Sequence, residues 1–83
     1  MSQNYPNPFN PVTTIQFSVS ESGNVKLTVY NKLGEHVVEL VNGFKDAGVH
    51  TINFNAGNLN SGLYIYKIVS NRFVQFRKMT LIK

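Results

Sequence analysis

One alternating stretch decides the fold: Thr13-Thr14-Ile15-Gln16-Phe17-Ser18-Val19. Ile15, Phe17 and Val19 fall on one side of an extended chain, and polar residues occupy the positions between them. This period of two is the pattern of a half-buried β-strand, and it recurs in Val25–Tyr30. No segment longer than a few residues shows the helical period. The sequence therefore predicts an all-β fold.

Turn residues recur at intervals of roughly 8–15 residues, which favours an antiparallel sandwich over a parallel α/β fold. The dipeptide Asn42-Gly43 is a typical turn sequence and predicts a connection that runs to Gly48. The pair Val37-Val38 breaks the alternation, which predicts a bulge or burial on both faces. We expect an immunoglobulin-like antiparallel β-sandwich of about seven strands. The remaining strands are expected at residues 35–41, 49–55 and 63–70, the last apolar on both faces, with one or two more within 72–82.

Length and composition exclude several classes of function. At 83 residues the chain is one domain with a thin core, and its few charges argue against disorder. The net charge of +4 includes no dense basic stripe, so no nucleic-acid partner is expected. No apolar run approaches the roughly 18 residues of a membrane helix, so no membrane insertion is expected. Met1 reads as an added initiator, which predicts that the chain is a fragment of a larger secreted protein.

The side chains offer no catalytic or metal-binding set. There is no cysteine, and the single aspartate, Asp46, lies in a predicted loop. His36 and His50 lie on different predicted strands, without a third ligand. We therefore expect no enzymatic activity, no catalytic residue, no metal and no cofactor.

Aromatic rings on a small sandwich can bind a glycan, and Tyr30, Tyr64 and Tyr66 are the candidate rings. The alternative for Tyr64 and Tyr66 is packing in the core, with their hydroxyls at an edge. The sequence alone leaves both readings open.

The N-terminal residues have a distinct character because prolines stand at positions 6, 8 and 11. Proline fixes φ, restricts the preceding residue and removes an amide donor, so this segment cannot form a central strand. We expect residues 1–12 to be a proline-rich junction to the parent protein, with Tyr5 and Phe9 against apolar surface. Residues 13–83 are then expected to be the β-sandwich.

Four short motifs occur in a fixed order along the chain. They are Asn4-Tyr5-Pro6-Asn7-Pro8-Phe9-Asn10-Pro11, Leu33-Gly34, Ser61-Gly62-Leu63-Tyr64-Ile65-Tyr66-Lys67 and the basic tail Arg77-Lys78-Met79-Thr80-Leu81-Ile82-Lys83. Each motif alone occurs by chance. Together they resemble the C-terminal sorting domain, type A, of cargo proteins of the bacterial type IX (Por) secretion system. The resemblance covers essentially the whole chain after Ser2.

The resemblance implies a seven-stranded sandwich and assigns roles to matching positions. Gly34 would need a positive φ, Gly62 would admit a close backbone approach and Tyr64 would be a buried anchor. The basic tail would be recognised by the secretion machinery, through an exposed strand edge and the chain's end. The family-motif residues are Pro6, Asn7, Pro8, Gly34, Gly62 and Tyr64, and the suspected recognition residues are Lys78, Met79, Leu81 and Lys83.

The implied partners are the outer-membrane translocon and the shuttle barrel of type IX secretion, with a sortase-like cysteine endopeptidase in many members. The passenger would travel through the periplasm to the cell surface or extracellular space. The alternative is a non-catalytic Ig-like structural or glycan-binding module appended to a secreted protein. Both a monomer and an edge-strand or domain-swapped dimer are compatible with the sequence.

Overall fold

The computed structural model describes residues 3–70 and 73–82. Within these ranges the chain forms six β-strands, which confirms the predicted all-β fold. No helix long and apolar enough to cross a membrane occurs in them. The strands are β1 (Val12–Val19), β2 (Gly23–Asn31), β3 (His36–Lys45), β4 (Gly48–Asn55), β5 (Gly62–Ser70) and β6 (Phe73–Leu81).

The strands form two antiparallel sheets, one with the order β1-β4 and one with the order β3-β2-β5-β6. The predicted sandwich is therefore confirmed, with six described strands rather than seven. Residues 73–81 form a single strand because β6 pairs with β5 over its whole length, from Phe73 opposite Ser70 to Leu81 opposite Gly62.

β3 is longer than the sequence predicts. The expected turn at Asn42-Gly43 is wrong, because the strand continues to Lys45, which lies opposite Gly23 of β2. The break in alternation at Val37-Val38 is confirmed as an irregularity: the β2–β3 register shifts between Val29 and Tyr30, and again between Leu27 and Thr28. The shifts let one long strand follow the twisted edge of the sheet.

The core lies between the two sheets. Alternate residues of β1 and β4 meet the inward residues of β2, β5 and β6. On β5 the inward side chains Tyr64, Tyr66 and Ile68 are buried, whereas Ile65 and Val69 on the opposite face are only half-buried. The expectation that β5 is covered on both faces is therefore wrong: among the described residues, the two-stranded sheet packs on one face of it.

Candidate recognition site

The four sequence motifs meet at one end of the four-stranded sheet. In the β2–β5 ladder Asn31 lies opposite Tyr64, and in the β5–β6 ladder Gly62 lies opposite Leu81. The N-terminal motif joins them because Phe9 forms a parallel bridge to Leu81. We call this region the motif end, and it comprises residues 3–11, 31–34, 61–64 and 78–82.

The Leu-Gly turn is organised by the side chain of Asn31. Its Oδ1 accepts hydrogen bonds from the backbone amides of Leu33 and Glu35, both at 3.0 Å. Its Nδ2 donates to the Glu35 carboxylate at 2.8 Å. Gly34 closes the turn with φ of 83°, which confirms the predicted positive φ. An asparagine whose side chain bonds the backbone two residues on is a typical turn signal.

The Gly-x-Tyr element begins β5. Tyr64 is buried, as predicted, and its hydroxyl donates to the backbone carbonyl of Asn60 at 2.7 Å. Gly62 has φ of 153°, a conformation that other residues rarely adopt. A Cβ at this position would meet no atom within 4 Å, so the predicted close backbone approach is wrong. The backbone conformation is what calls for glycine here.

A pocket of about 160 Å³ separates the Leu-Gly turn from the start of β5. Sites for drug-sized ligands have volumes of roughly 300–1,000 Å³, so this pocket matches a single side chain of a partner better than a cofactor. Its lining residues are Asn31, Lys32, Leu33, Ser61, Gly62, Leu63 and Tyr64.

Residues 3–11, which we call the strap, link one edge strand of each sheet, β1 and β6. At one sheet Tyr5 exchanges backbone hydrogen bonds of 2.8 and 2.7 Å with Thr14 of β1. At the other sheet the Phe9 amide donates to the Thr80 carbonyl of β6, and the Ile82 amide donates to the Phe9 carbonyl, both at 2.9 Å. These donors are non-proline residues, so the three prolines of the chain do not interrupt the pairing.

Two side chains of the strap reach the interior. Phe9 is buried, with its ring centroid 6.2 Å from that of Phe54. Asn4 is also buried, and its Nδ2 donates to Thr13 Oγ1 at 2.9 Å. Phe9 therefore contacts apolar surface as predicted, whereas the same expectation for Tyr5 is wrong, because 78% of that residue is exposed.

Asn4 also forms a hydrogen bond with the hydroxyl of Tyr66, which is fully buried on β5. Its backbone amide donates to Tyr66 Oη at 2.7 Å. Burial raises the pKa of the Tyr66 hydroxyl above its ordinary value of 10.0, while the Asn4 amide and the nearby Arg77 guanidinium act in the opposite direction. The pairing of Asn4 with Tyr66 gave no signal in the sequence.

The suspected recognition residues of the tail fall into different environments. Met79 and Leu81 are buried in the core. Lys78 is exposed on the face of the sheet that points away from the core. Lys83 lies outside the described residues. Of this set, Lys78 is the described side chain that a partner can contact without opening the fold.

The two imidazoles do not approach each other as a site. His36 lies on the edge strand of the larger sheet and His50 on β4 of the smaller one, where it stacks on Phe17 at 5.4 Å. No group of three His, Asp or Glu side chains able to hold a metal occurs in residues 3–70 and 73–82.

A family model of the secretion system C-terminal sorting domain matches residues 3–83. The chain belongs to this family. The sorting domain is thus a C-terminal signal of type IX secretion, and it directs export to the cell surface or the extracellular space. Members of the family are non-catalytic. No curated protein and no solved structure matches the sorting domain.

Proposed function

We propose that the outer-membrane translocon and the shuttle barrel of type IX secretion bind the folded sorting domain at its motif end. The observation that carries this proposal is the convergence of the four motif segments at one end of the sheet, where Gln3 bonds to Lys78 across 75 positions of sequence. A signal read as an unfolded tail would need only the last of these segments. A signal read as a folded surface needs all four in place.

Each group of motif residues has its own part in this surface. Lys78 and Lys83 contact the machinery, while Met79 and Leu81 hold the terminal strand in the core. Asn7, between Pro6 and Pro8, accepts a hydrogen bond from the Thr80 amide at 2.9 Å and so fixes the strap to the tail. Pro6 and Pro8 fix the backbone φ on either side of Asn7.

The strap lies at the junction between the domain and its parent protein in this proposal. Residues 1–12 join the passenger to the sandwich of residues 13–83, and a sortase-like cysteine endopeptidase would cut the chain upstream of the strap. Support for this comes from the hydrogen bonds of Gln3, Tyr5 and Phe9, because a protease needs an extended segment free of such bonds. The strap covers part of the edges of β1 and β6, whereas among the described residues the outer edges of β3 and β4 are open to pairing, so a monomer and an edge-strand dimer are both compatible with the fold.

A glycan platform built on Tyr64 and Tyr66 has no support, because both rings lie in the core. The structural-module alternative predicts export that is indifferent to the lysines of the tail. The sorting signal and the structural module therefore make opposite predictions for the experiment below.

The test is a fusion of a signal peptide, a fluorescent passenger and this domain, expressed in a bacterium with type IX secretion. Deleting residues 78–83 would not be informative, because it removes the buried Met79 and Leu81. The informative variant carries Lys78→Ala and Lys83→Ala, and its matched control carries Lys45→Ala at the far end of β3. We expect surface fluorescence from the wild type and the control, and periplasmic fluorescence from the double variant.

Surface fluorescence of the double variant at the wild-type level would show that the terminal lysines are not recognised. Retention of the wild-type fusion in the periplasm, in cells that export their own cargo, would overturn the proposed function.

A further inference from the structure

The terminal strand β6 presents three surfaces, and two of them are already occupied. Its inward side chains include Met79 and Leu81, which are buried. Its backbone edge near the C-terminus is occupied by the strap. The outward side chains are the part of this strand that neither the core nor the strap covers.

The strap contacts four backbone groups of this edge between Lys78 and Ile82. Gln3 Nε2 donates to the Lys78 carbonyl at 2.6 Å, and the Thr80 amide donates to Asn7 Oδ1 at 2.9 Å. The Thr80 carbonyl and the Ile82 amide both bond to Phe9. The strap therefore occupies the Lys78 carbonyl, both backbone groups of Thr80 and the Ile82 amide, which lie on the edge where recognition was expected.

The outward side chains of β6 belong to a larger surface on the four-stranded sheet. Cross-strand pairing places Tyr30, Ile65 and Lys78 in one row, and Lys67 and Phe76 in the next row. Val74 follows one row further along β6. We call this surface the outer face, and it comprises Tyr30, Ile65, Lys67, Val74, Phe76 and Lys78.

The outer face carries large apolar side chains that are exposed to solvent. Phe76 is 56% exposed and Val74 is 55% exposed, and Val74 lies opposite the half-buried Val69 of β5. Contiguous exposed apolar residues on a small domain mark sites of protein–protein contact.

The charge of the outer face is positive at its centre. Lys67 Nζ lies 5.3 Å from the ring centroid of Tyr30 and 5.9 Å from that of Phe76, which holds the cation between two rings. The neighbouring acid, Glu39, already pairs with Lys26 at 3.5 Å. Among the described residues, Lys67 and Lys78 have no ion pair, so the face carries two cations without an acidic partner.

We infer that the outer face is a docking surface for an apolar and acidic surface of the secretion machinery, an inference that rests on the proposed function. Carboxylates of the partner meet Lys67 and Lys78, and its apolar side chains cover Phe76 and Val74. A second copy of this chain is a poor occupant, because two copies would bring the same lysines together in a domain of net charge +4. The site thus extends from the motif end across the sheet.

The test uses the same passenger fusion with substitutions on the outer face. Lys67→Glu and Phe76→Ser are expected to lower surface fluorescence at least about tenfold, as expected for central contacts of an interface. Lys67→Arg, which keeps the charge, is expected to export like the wild type. The matched controls are Lys45→Glu and Val49→Ser, the latter on β4 of the other sheet and 62% exposed.

A thermal melt of each purified domain establishes that the exported and retained variants are equally folded. If a variant melts early, Lys67→Gln and Phe76→Thr replace Lys67→Glu and Phe76→Ser. Export of folded Lys67→Glu and Phe76→Ser at the wild-type level, with the wild type itself exported, would overturn this inference and leave the proposed function intact. Periplasmic retention of the wild type would instead overturn the proposed function.

A glycan ligand is the other outcome to test. Vesicles containing lipopolysaccharide serve as the probe. Loss of vesicle binding in Phe76→Ser and Lys67→Glu, together with normal export, would assign the outer face to lipopolysaccharide binding and overturn the inference.

Discussion

The backbone amide of Asn4 donates a 2.7 Å hydrogen bond to the hydroxyl of Tyr66, across 62 positions of sequence. Both residues are buried, at 3% and 0% exposure. This contact ties the strap to the centre of the larger sheet. It makes the N-terminal motif part of the sandwich interior.

Tyr66→Phe is expected to destabilise the domain by about 1–3 kcal/mol, because it leaves the Asn4 amide buried without an acceptor. Urea unfolding of the purified domain measures the change. Tyr5→Phe is the matched control, since Tyr5 is 78% exposed and its unfolding free energy should stay at the wild-type value. An unchanged midpoint in Tyr66→Phe would show that water or another group satisfies the amide.

The stability of the domain is expected to fall in alkaline solution. Burial raises the pKa of Tyr66 above its ordinary value of 10.0, so the unfolded chain loses the proton first as the pH rises. The contribution of Tyr66 is complete below pH 10.0 and is lost as the pH rises from there through the raised pKa of the folded state. Urea unfolding at pH 8 to 11.5 measures this loss. In Tyr66→Phe the unfolding free energy should fall less steeply with rising pH, by an amount that reflects the pKa shift of Tyr66. If the unfolding free energy of that variant falls as steeply with pH as that of the wild type, the loss belongs to other groups.

Gly62→Ala is expected to destabilise the domain by about 1–3 kcal/mol, because alanine is strained at a φ of 153°. Gly43→Ala on β3 is the matched control: a Cβ there also meets no atom within 4 Å, and its φ is not in the positive range. Thermal melts of both variants measure the difference. Equal melting temperatures would contradict the conformational explanation.

Phe9→Ala is expected to cost about 3–5 kcal/mol, the usual effect of removing a buried aromatic ring. Tyr5→Ala removes a similar ring from an exposed position of the same strap and should have little effect. Chemical unfolding of the two variants measures the contribution of the strap. Wild-type stability of Phe9→Ala would mean that the strap is a detachable linker, as the proline-rich composition alone suggests.

Local features of this fold could be predicted because they depend on near neighbours. The alternation of Ile15, Phe17 and Val19 sets which face of β1 is buried, whatever it packs against. The positive φ at Gly34 likewise follows from the turn chemistry of its own segment. The extension of β3 to Lys45 could not be predicted, because pairing with β2 overrides the turn preference of Asn42-Gly43.

By itself the sequence determined the all-β class, the inward face of β1 and the family to which the domain belongs, because periodicity and short motifs are properties of contiguous residues. Only the tertiary structure decided which edges remain free. The strap closes the edge of β6 through Gln3, Asn7 and Phe9, and this pairing depends on backbone groups left unsatisfied once both sheets have assembled. Unsatisfied backbone groups leave no signal in the alternation of apolar and polar residues. The covered edge of β6 and the free outer face could therefore be found only from the tertiary structure.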